Sequence, residues 1–430
     1  SGVTGTVFDD VLVGDSGNNV LDVLDGKDTA AAGAGDDVVR GGNGAKVYDL
    51  GTGDDVLSHS GDAVSRVFVN AGDGRDSITV FARSVSLRGG DGDDEFLVLQ
   101  TGANSLTTAT EEIFGDDGDD FVEFESTARV DGGAGDDTVA FSGLGALQAD
   151  LQTGTVRHQI PAGGATSKSL DGSTLVAVEN LIGLIAGDDV LSGTNAANFL
   201  DGRGGSNELN GRGGNDILRG QSGSDRFFGG SGVDTAEIFA NGSVAVDLEF
   251  VVAQDTGAGG VDLFNSIENV TVIGTGAAFL QGTAGANVLD GGDGADDIRG
   301  RGGDDILITR TTGFLHGGDG NDILRGHGFI FDGGSGVDTA EMLLDDDLTI
   351  DLRITVGQNI GASTGANLTA FQDVENVTTA AGDDRLIGTN GDNVLKGGAG
   401  DDVIEGLLGD DVMDGGDDLD ILVETPESRD

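Results

Sequence analysis

Residues Gly397–Val423 read GGAGDDVIEGLLGDDVMDGGDDLDILV. Adjacent acids follow a glycine-rich segment, and the arrangement returns every nine residues. Asp402, Asp411 and Asp420 fall in step, and each is followed two positions later by an apolar side chain (Ile404, Met413, Leu422). Neighbouring carboxylates repel each other and have poor strand propensity, so a positive partner is expected beside them.

The same register runs through much of the chain. Each unit has nine positions, with glycine favoured at the first, second and fourth, Asp at the sixth and an apolar residue at the eighth. A run over residues 5–58 puts Asp10, Asn19, Asp28, Asp37, Lys46 and Asp55 at the sixth position. A second, over 184–237, puts Asp189, Asn198, Asn207, Asp216, Asp225 and Asp234 there; a third, over 379–423, puts Asp384, Asn393, Asp402, Asp411 and Asp420. Shorter pieces carry Asp76, Asp94, Asp120, Asp137, Asn287, Asp296, Asp305, Asp322 and Asp338.

A slower repeat overlies the fast one. Motifs open near Gly132, Gly229 and Gly333 and reach Asp150-Leu151, Asp247-Leu248 and Asp351-Leu352 at a similar offset. Each then passes a Glu-Asn pair (VEN 178–180, IEN 267–269, VEN 374–376) and re-enters nonapeptides at Gly193-Thr194, Gly282-Thr283 or Gly388-Thr389. This divides the chain into N-terminal coils (1–131) and three elaborated blocks (132–228, 229–332, 333–430), expected to be coils of one solenoid.

Composition narrows the chemistry. The 430 residues hold 77 Asp and Glu against 22 Lys and Arg, a formal charge of −55, with 80 Gly and no Cys. Such a charge excludes nucleic acid and anionic membrane as partners, and the lack of cysteine removes disulfides and thiolate metal sites. No stretch is apolar for long enough to predict a membrane-spanning helix. Ser1–Gly5 lead straight into repeat sequence, so export without a cleaved N-terminal signal peptide is expected.

The unit has a mechanical reading. Glycines permit the tight backbone of a loop over the first six positions. The last three form a short strand with the eighth side chain turned inward. Two units close a turn of about 18 residues, and successive turns stack as parallel strands about 4.8 Å apart, so sixth-position acids form columns. One large apolar side chain per nine residues makes a thin core, and a metal has to complete the fold. Ca²⁺ takes six to eight hard oxygens in irregular geometry; stacked carboxylates and loop carbonyls supply them. Zinc is disfavoured by the absence of Cys and the presence of only four His (His59, His158, His316, His327).

GGAGDDTVA (132–140), GGDGNDILR (317–325) and GGAGDDVIE (397–405) resemble the nonapeptide of the repeats-in-toxin (RTX) proteins. The resemblance implies an all-β fold: a right-handed parallel β-roll or β-helix solenoid with Ca²⁺ between stacked Gly-rich loops. It implies that the sixth-position Asp and Asn residues named above are ligands, together with carbonyls such as those of Gly398 and Gly400. Asn19, Asn198, Asn207, Asn287 and Asn393 keep an oxygen but lose the charge, so weaker or differently coordinated sites are expected. At Lys46 an ammonium fills the gap or the site is lost. GHGFIFDGG (326–334) breaks the register and is assigned no metal.

Charge neutralisation would take about 27 divalent ions. Ions in the teens or twenties are therefore expected, concentrated in 5–58, 184–237, 282–325 and 379–423. No HExxH pair or strand–turn–helix nucleophile motif occurs, and the histidines are expected in loops or facing solvent, so no enzyme is predicted. The expected function is structural: an extracellular calcium-binding protein of a bacterial surface layer, sheath or filament. Its expected partners are other copies of itself, through VTGTVFDDVLVG (3–14) and DDLDILVETP (417–426), and cell-surface polysaccharide. The alternatives are the calcium-folded export module of a larger secreted protein and, less favoured, a polysaccharide-binding or polysaccharide-modifying β-helix.

Overall fold

The computed structural model describes residues 2–61, 65–99, 111–159, 169–240, 242–257, 260–327, 329–361 and 368–424. Thr425 and Pro426, which close one stretch expected to self-associate, lie outside them. Every regular element among the described residues is a β-strand, of two to eight residues. No helix there is long and apolar enough to cross a membrane.

Packing divides the chain into two compact units, residues 1–220 with 228–232 and residues 221–227 with 233–430. This partition follows packing, whereas the sequence blocks follow the repeat.

In the first unit, each turn contributes a strand to each of two parallel ladders. On one face Leu21, Val39, Leu57, Ile78, Phe96, Val122, Val139, Leu181, Leu200 and Leu218 pair in sequence. On the other, Leu12, Ala30, Tyr48, Val69, Leu87, Ile113, Val130 and Leu175 do the same. These side chains are buried and their strand neighbours are more exposed, the alternation that a pleated strand imposes. The first turns repeat after 18 residues, as Val20 pairing with Val38 and Val38 with Val56 shows.

The second unit repeats the plan. Ala236, Val270, Leu289, Leu307, Leu324, Ala340, Val377, Leu395 and Met413 pair in one ladder. Opposite it, Val246, Leu280, Ile298, Leu315, Phe331 and Phe371 pair along one ladder, and Ile350, Leu386, Ile404 and Leu422 along another. The register break at 326–334 is absorbed at the corners. Asp322 and Asp338 are 16 residues apart, yet Phe331 still stacks on Leu315.

Glycine permits the corners. Gly51 and Gly53, second and fourth in their unit, have φ of 113° and 120°, a region that side chains other than glycine rarely adopt. A Cβ on Gly51 would also strike the Gly33 carbonyl in the preceding turn.

Each elaborated block leaves the roll at its Asp-Leu pair. In the first block Ala146–Asp150 pairs in parallel with Val190–Ser192 and antiparallel with Thr155–Gln159. In the other two, short antiparallel pairs form, Gln254–Asp255 with Val261–Asn265 and Gln358–Asn359 with Leu368–Gln372.

Candidate metal centre

The paired acids act in opposite directions along the stack. The fifth-position oxygen accepts from the backbone N–H one turn later: Asp36 Oδ1 from Asp54 (3.2 Å), Asp54 from Arg75 (3.0 Å), Asp93 from Asp119 (2.9 Å) and Asp383 from Asp401 (3.0 Å). The sixth-position oxygen accepts from the N–H one turn earlier. Asp37 Oδ1 takes the N–H of Asn19 (2.6 Å), Asp55 that of Asp37 (2.7 Å), Asp76 that of Asp55 (2.8 Å) and Asp94 that of Asp76 (2.8 Å). The column continues with Asp120 on Asp94 and Asp137 on Asp120 (both 2.9 Å). Each acid pair thus ties its loop to the loops on both sides.

Those bonds use one oxygen of each sixth-position carboxylate. The second oxygens of Asp37, Asp55, Asp76, Asp94, Asp120 and Asp137 are buried without a hydrogen-bond partner, as are those of Asp305, Asp322, Asp338 and Asp402. A buried acceptor without a donor is costly. A row of them, in phase, is what a cation would satisfy.

The space beside these oxygens explains the first glycine of the unit. A Cβ on Gly397 would collide with Asp402 Oδ2 and lie 2.8 Å from the Gly415 carbonyl oxygen in the following turn. Carboxylate and carbonyl converge on a cradle that a side chain would fill. Among the described residues no group of three or more His, Cys, Asp or Glu side chains is placed to hold a metal, so carbonyls have to supply much of any shell. Hard, mixed oxygen donors of this kind fit Ca²⁺.

Electrostatics agree. Burial pushes the carboxyls of Asp55, Asp94, Asp120, Asp189 and Asp305 up to about 7, and those of Asp76, Asp137, Asp338 and Asp384 up to about 6. Their backbone N–H bonds oppose the shift, and neighbouring acids add to it. Asp296, Asp322 and Asp402 move the same way, chiefly through burial. A divalent ion would reverse this penalty.

Other candidates have different surroundings. Asp10 Oδ2 takes the N–H and hydroxyl of Thr6 in its own loop (2.6 and 2.8 Å), and Asp189 uses both oxygens, on Leu147 N–H (2.8 Å) and Leu184 N–H (2.7 Å). Asp296 takes Ala278 N–H and the Thr309 hydroxyl (2.9 and 2.8 Å). Asp216 accepts from Asn198 N–H, Asn207 from Asp189 N–H, Asp384 from Leu348 N–H, Asp411 from Asn393 N–H and Asp420 from Asp402 N–H. Asp225 and Asp234 donate their N–H to Asp262 and Glu268. Gly398 and Gly400 occupy left-handed loop positions, with φ of 102° and 132°.

The asparagines separate into a distinct group. Asn198, Asn287 and Asn393 each donate Nδ2 to a backbone carbonyl of the preceding turn, at Glu179, Glu268 and Glu375, in every case at 2.6 Å. Each Oδ1 accepts the N–H of the Thr four residues earlier in its own loop, Thr194, Thr283 or Thr389 (2.6, 2.6 and 2.7 Å). An amide bridges the loops there. Asn19 Nδ2 also reaches into its own loop, on Asp15 Oδ1 (3.1 Å) and the Gly17 carbonyl (2.5 Å).

Sequence reasoning missed four members of the columns. Glu179, Glu268 and Glu375 accept the N–H groups of Asp137, Asp234 and Asp338 (3.0, 2.9 and 2.8 Å), carrying the ladder across each insertion. The recurring VEN, IEN and VEN triplets were their signal. Asp262, buried below the Asp225 N–H, carried none. His59 corrects the expectation of exposed histidines: it is fully buried, with Nδ1 3.0 Å from the Tyr48 hydroxyl.

A parallel roll whose loops present carboxylate-and-carbonyl cradles between turns defines a calcium-binding β-roll. The family model described as the RTX calcium-binding nonapeptide repeat (4 copies) matches residues 4–29, 23–57, 129–142, 185–218, 201–236, 273–307, 314–328, 378–413 and 387–422, together half of the chain. The chain belongs to this RTX calcium-binding family, and its repeats imply Ca²⁺ binding. A search of curated proteins returned no match.

Proposed function

We propose that the protein is a calcium-stiffened structural component of a bacterial cell exterior. It is exported unfolded, folds where calcium is plentiful and assembles with copies of itself into a layer, sheath or filament. The observation that supports this reading is the row of buried second oxygens from Asp37 to Asp137, acceptors that an external cation would satisfy. Metal binding then becomes folding free energy, and the difference between cytosolic and extracellular calcium times it. Export is the habit of RTX repeat proteins and supports the location.

Self-association has support in the stretches named for it. Phe8 and Val11 in one, and Leu419 and Ile421 in the other, are exposed beside acids, and heterologous contacts between such faces need not close. Cell-surface polysaccharide is a second partner. A cleft of about 380 Å³ beside the first insertion presents Gln148, Arg157, His158, Gln159, Asp171 and Asp188, donors and acceptors suited to hydroxyls. The reading is non-enzymatic.

Light scattering and electron microscopy across a calcium titration test it. Chelator-reversible assemblies are the expected result. A protein that folds in calcium yet stays monomeric at high concentration would favour the export module of a larger secreted protein instead.

A further inference from the structure

Lys46 occupies a sixth position, where the family pattern places a carboxylate. Its side chain and that of Asp28 are both fully buried, and Nζ stands 2.8 Å from Asp28 Oδ2. The same nitrogen donates to the Gly26 carbonyl (2.7 Å) and the Asn43 carbonyl (2.7 Å). An ammonium has three N–H groups; two go to these carbonyls, and the ion pair with Asp28 is its third close contact.

These acceptors come from two successive loops. Asp28 and Gly26 are sixth and fourth in the lower unit; Asn43 is third in the upper one. One buried carboxylate oxygen and carbonyls from both sides form an all-oxygen set like those the cradles offer. The ladder is adjusted to the change: the Asp28 N–H, which would donate to a sixth-position acid, goes to the Ala45 carbonyl at 3.1 Å. A buried, unpaired charge would be strongly destabilising. Here cation and anion are paired with each other.

The first two elaborated blocks show a half-exposed version of the device. Arg301 grips both Asp247 oxygens (2.8 and 2.7 Å), the Gly282 carbonyl (2.7 Å) and Gln281 Oε1 (2.9 Å). Arg212 grips both Asp150 oxygens (2.9 and 2.8 Å) and the Gly193 carbonyl. The third block has Leu407 at the corresponding place, with a similar φ of 79° against 72° and 77° for the arginines. There Asp351 is bound by Arg353 from its own loop, at 2.8 and 2.7 Å.

We propose that Lys46 is a resident cation, its ammonium holding the place of a calcium ion between the loops of Asp28 and Lys46. This rests on the calcium-binding reading and deepens it: the turn is closed by the chain's own charge, and the roll holds one ion fewer there. Replacing the ammonium by a carboxylate should turn the plug into a calcium site, because Asp28, Gly26 and Asn43 would then face an acid.

Native mass spectrometry of the calcium-saturated full chain counts the ions in wild type and Lys46→Asp. One additional ion in the variant is the expected result. A folded variant with an unchanged or lower count would overturn the inference. A wild type that binds no calcium would instead overturn the family-based reading, so the two failures are distinct. If Lys46→Asp fails to fold in calcium, acetylation of the calcium-loaded wild type decides. Lys46 should react about tenfold or more slowly than the exposed Lys27 and Lys396, since only opening of the turn exposes it. Equal rates would overturn the proposal.

Discussion

The column from Asn19 to Asp137 and the clasps at Asn198, Asn287 and Asn393 are built from the same nonapeptide, but they meet the same demand differently. In the column, one oxygen of each acid from Asp37 to Asp137 binds a neighbouring N–H and the other has no donor in the protein. In the clasps Nδ2 donates to a carbonyl of the preceding turn, and Oδ1 takes the N–H of a Thr in its own loop. Asp10, an acid, is closed in the same way by the N–H and hydroxyl of Thr6, so the Gly-Thr loop supplies the donor whether the sixth residue is Asp or Asn. We expect dependence on calcium to be local, set turn by turn by whether the loop supplies that donor.

The largest expected effect separates the column from the clasps by pH. Burial pushes the carboxyls of Asp55, Asp76, Asp94, Asp120 and Asp137 up to about 6–7 in the metal-free fold, against an ordinary value of 3.8. The folded state therefore holds more protons than the unfolded chain between those values, and metal-free stability falls as pH rises through that window. It is fully present below about 4 and lost above about 7. Thermal melts in chelator from pH 4 to 8 should show the highest midpoint at the acid end. Calcium binding at about pH 6.5 should release protons, measurable by calorimetry in two buffers of different ionisation heat. A chelated protein equally stable at pH 5 and pH 8 would break the comparison.

Exchanging the two chemistries should give effects of opposite sign. Asp120→Asn removes a charge from the column: in calcium it should lose metal affinity and stability, and in chelator it should gain stability because a charge is no longer buried there and repulsion from Asp137, Asp93 and Asp116 is relieved. Asn287→Asp should do the reverse in chelator and add affinity in calcium. Denaturant unfolding under both conditions measures the signs. Each change is of order 1–3 kcal/mol, the scale of a charged hydrogen bond or a buried unsatisfied group.

The smallest expected effect is that of Asn393→Ala. It removes the bonds to Glu375 and Thr389, so it should destabilise by about 1–2 kcal/mol, and by similar amounts at low and high calcium. A loss confined to high calcium would show that Asn393 serves a metal after all.

Much of this was legible in the sequence. Glycine, Asp and apolar residues in a fixed nine-residue phase implied stacked turns, an inward eighth position and carboxylate columns, and the ladders from Leu21 to Leu218 follow that phase. Insertions did not obscure it, because corners absorb length while strands keep register. The identity of each closing partner was less legible. The amide of Asn287 reaches a carbonyl 19 residues earlier, and a backbone atom leaves no mark in a side-chain pattern. The role of the fifth-position acid was hidden for the same reason: its partner is an N–H one turn away. Lys46 left two readings open, an ammonium plug or a lost site, and the three acceptors around its nitrogen favour the plug. His59 read as one of four scattered histidines, yet Tyr48 beneath the roll surface gives it a buried partner.

The central claim is that calcium, bound along the carboxylate columns, completes the fold. Circular dichroism combined with small-angle scattering across a calcium titration at pH 7.5 tests it most directly. The account predicts an expanded chain with little β signal in chelator, changing to a compact β-rich form as calcium reaches the millimolar range. A complete β spectrum and compact scattering in chelator at that pH would contradict it.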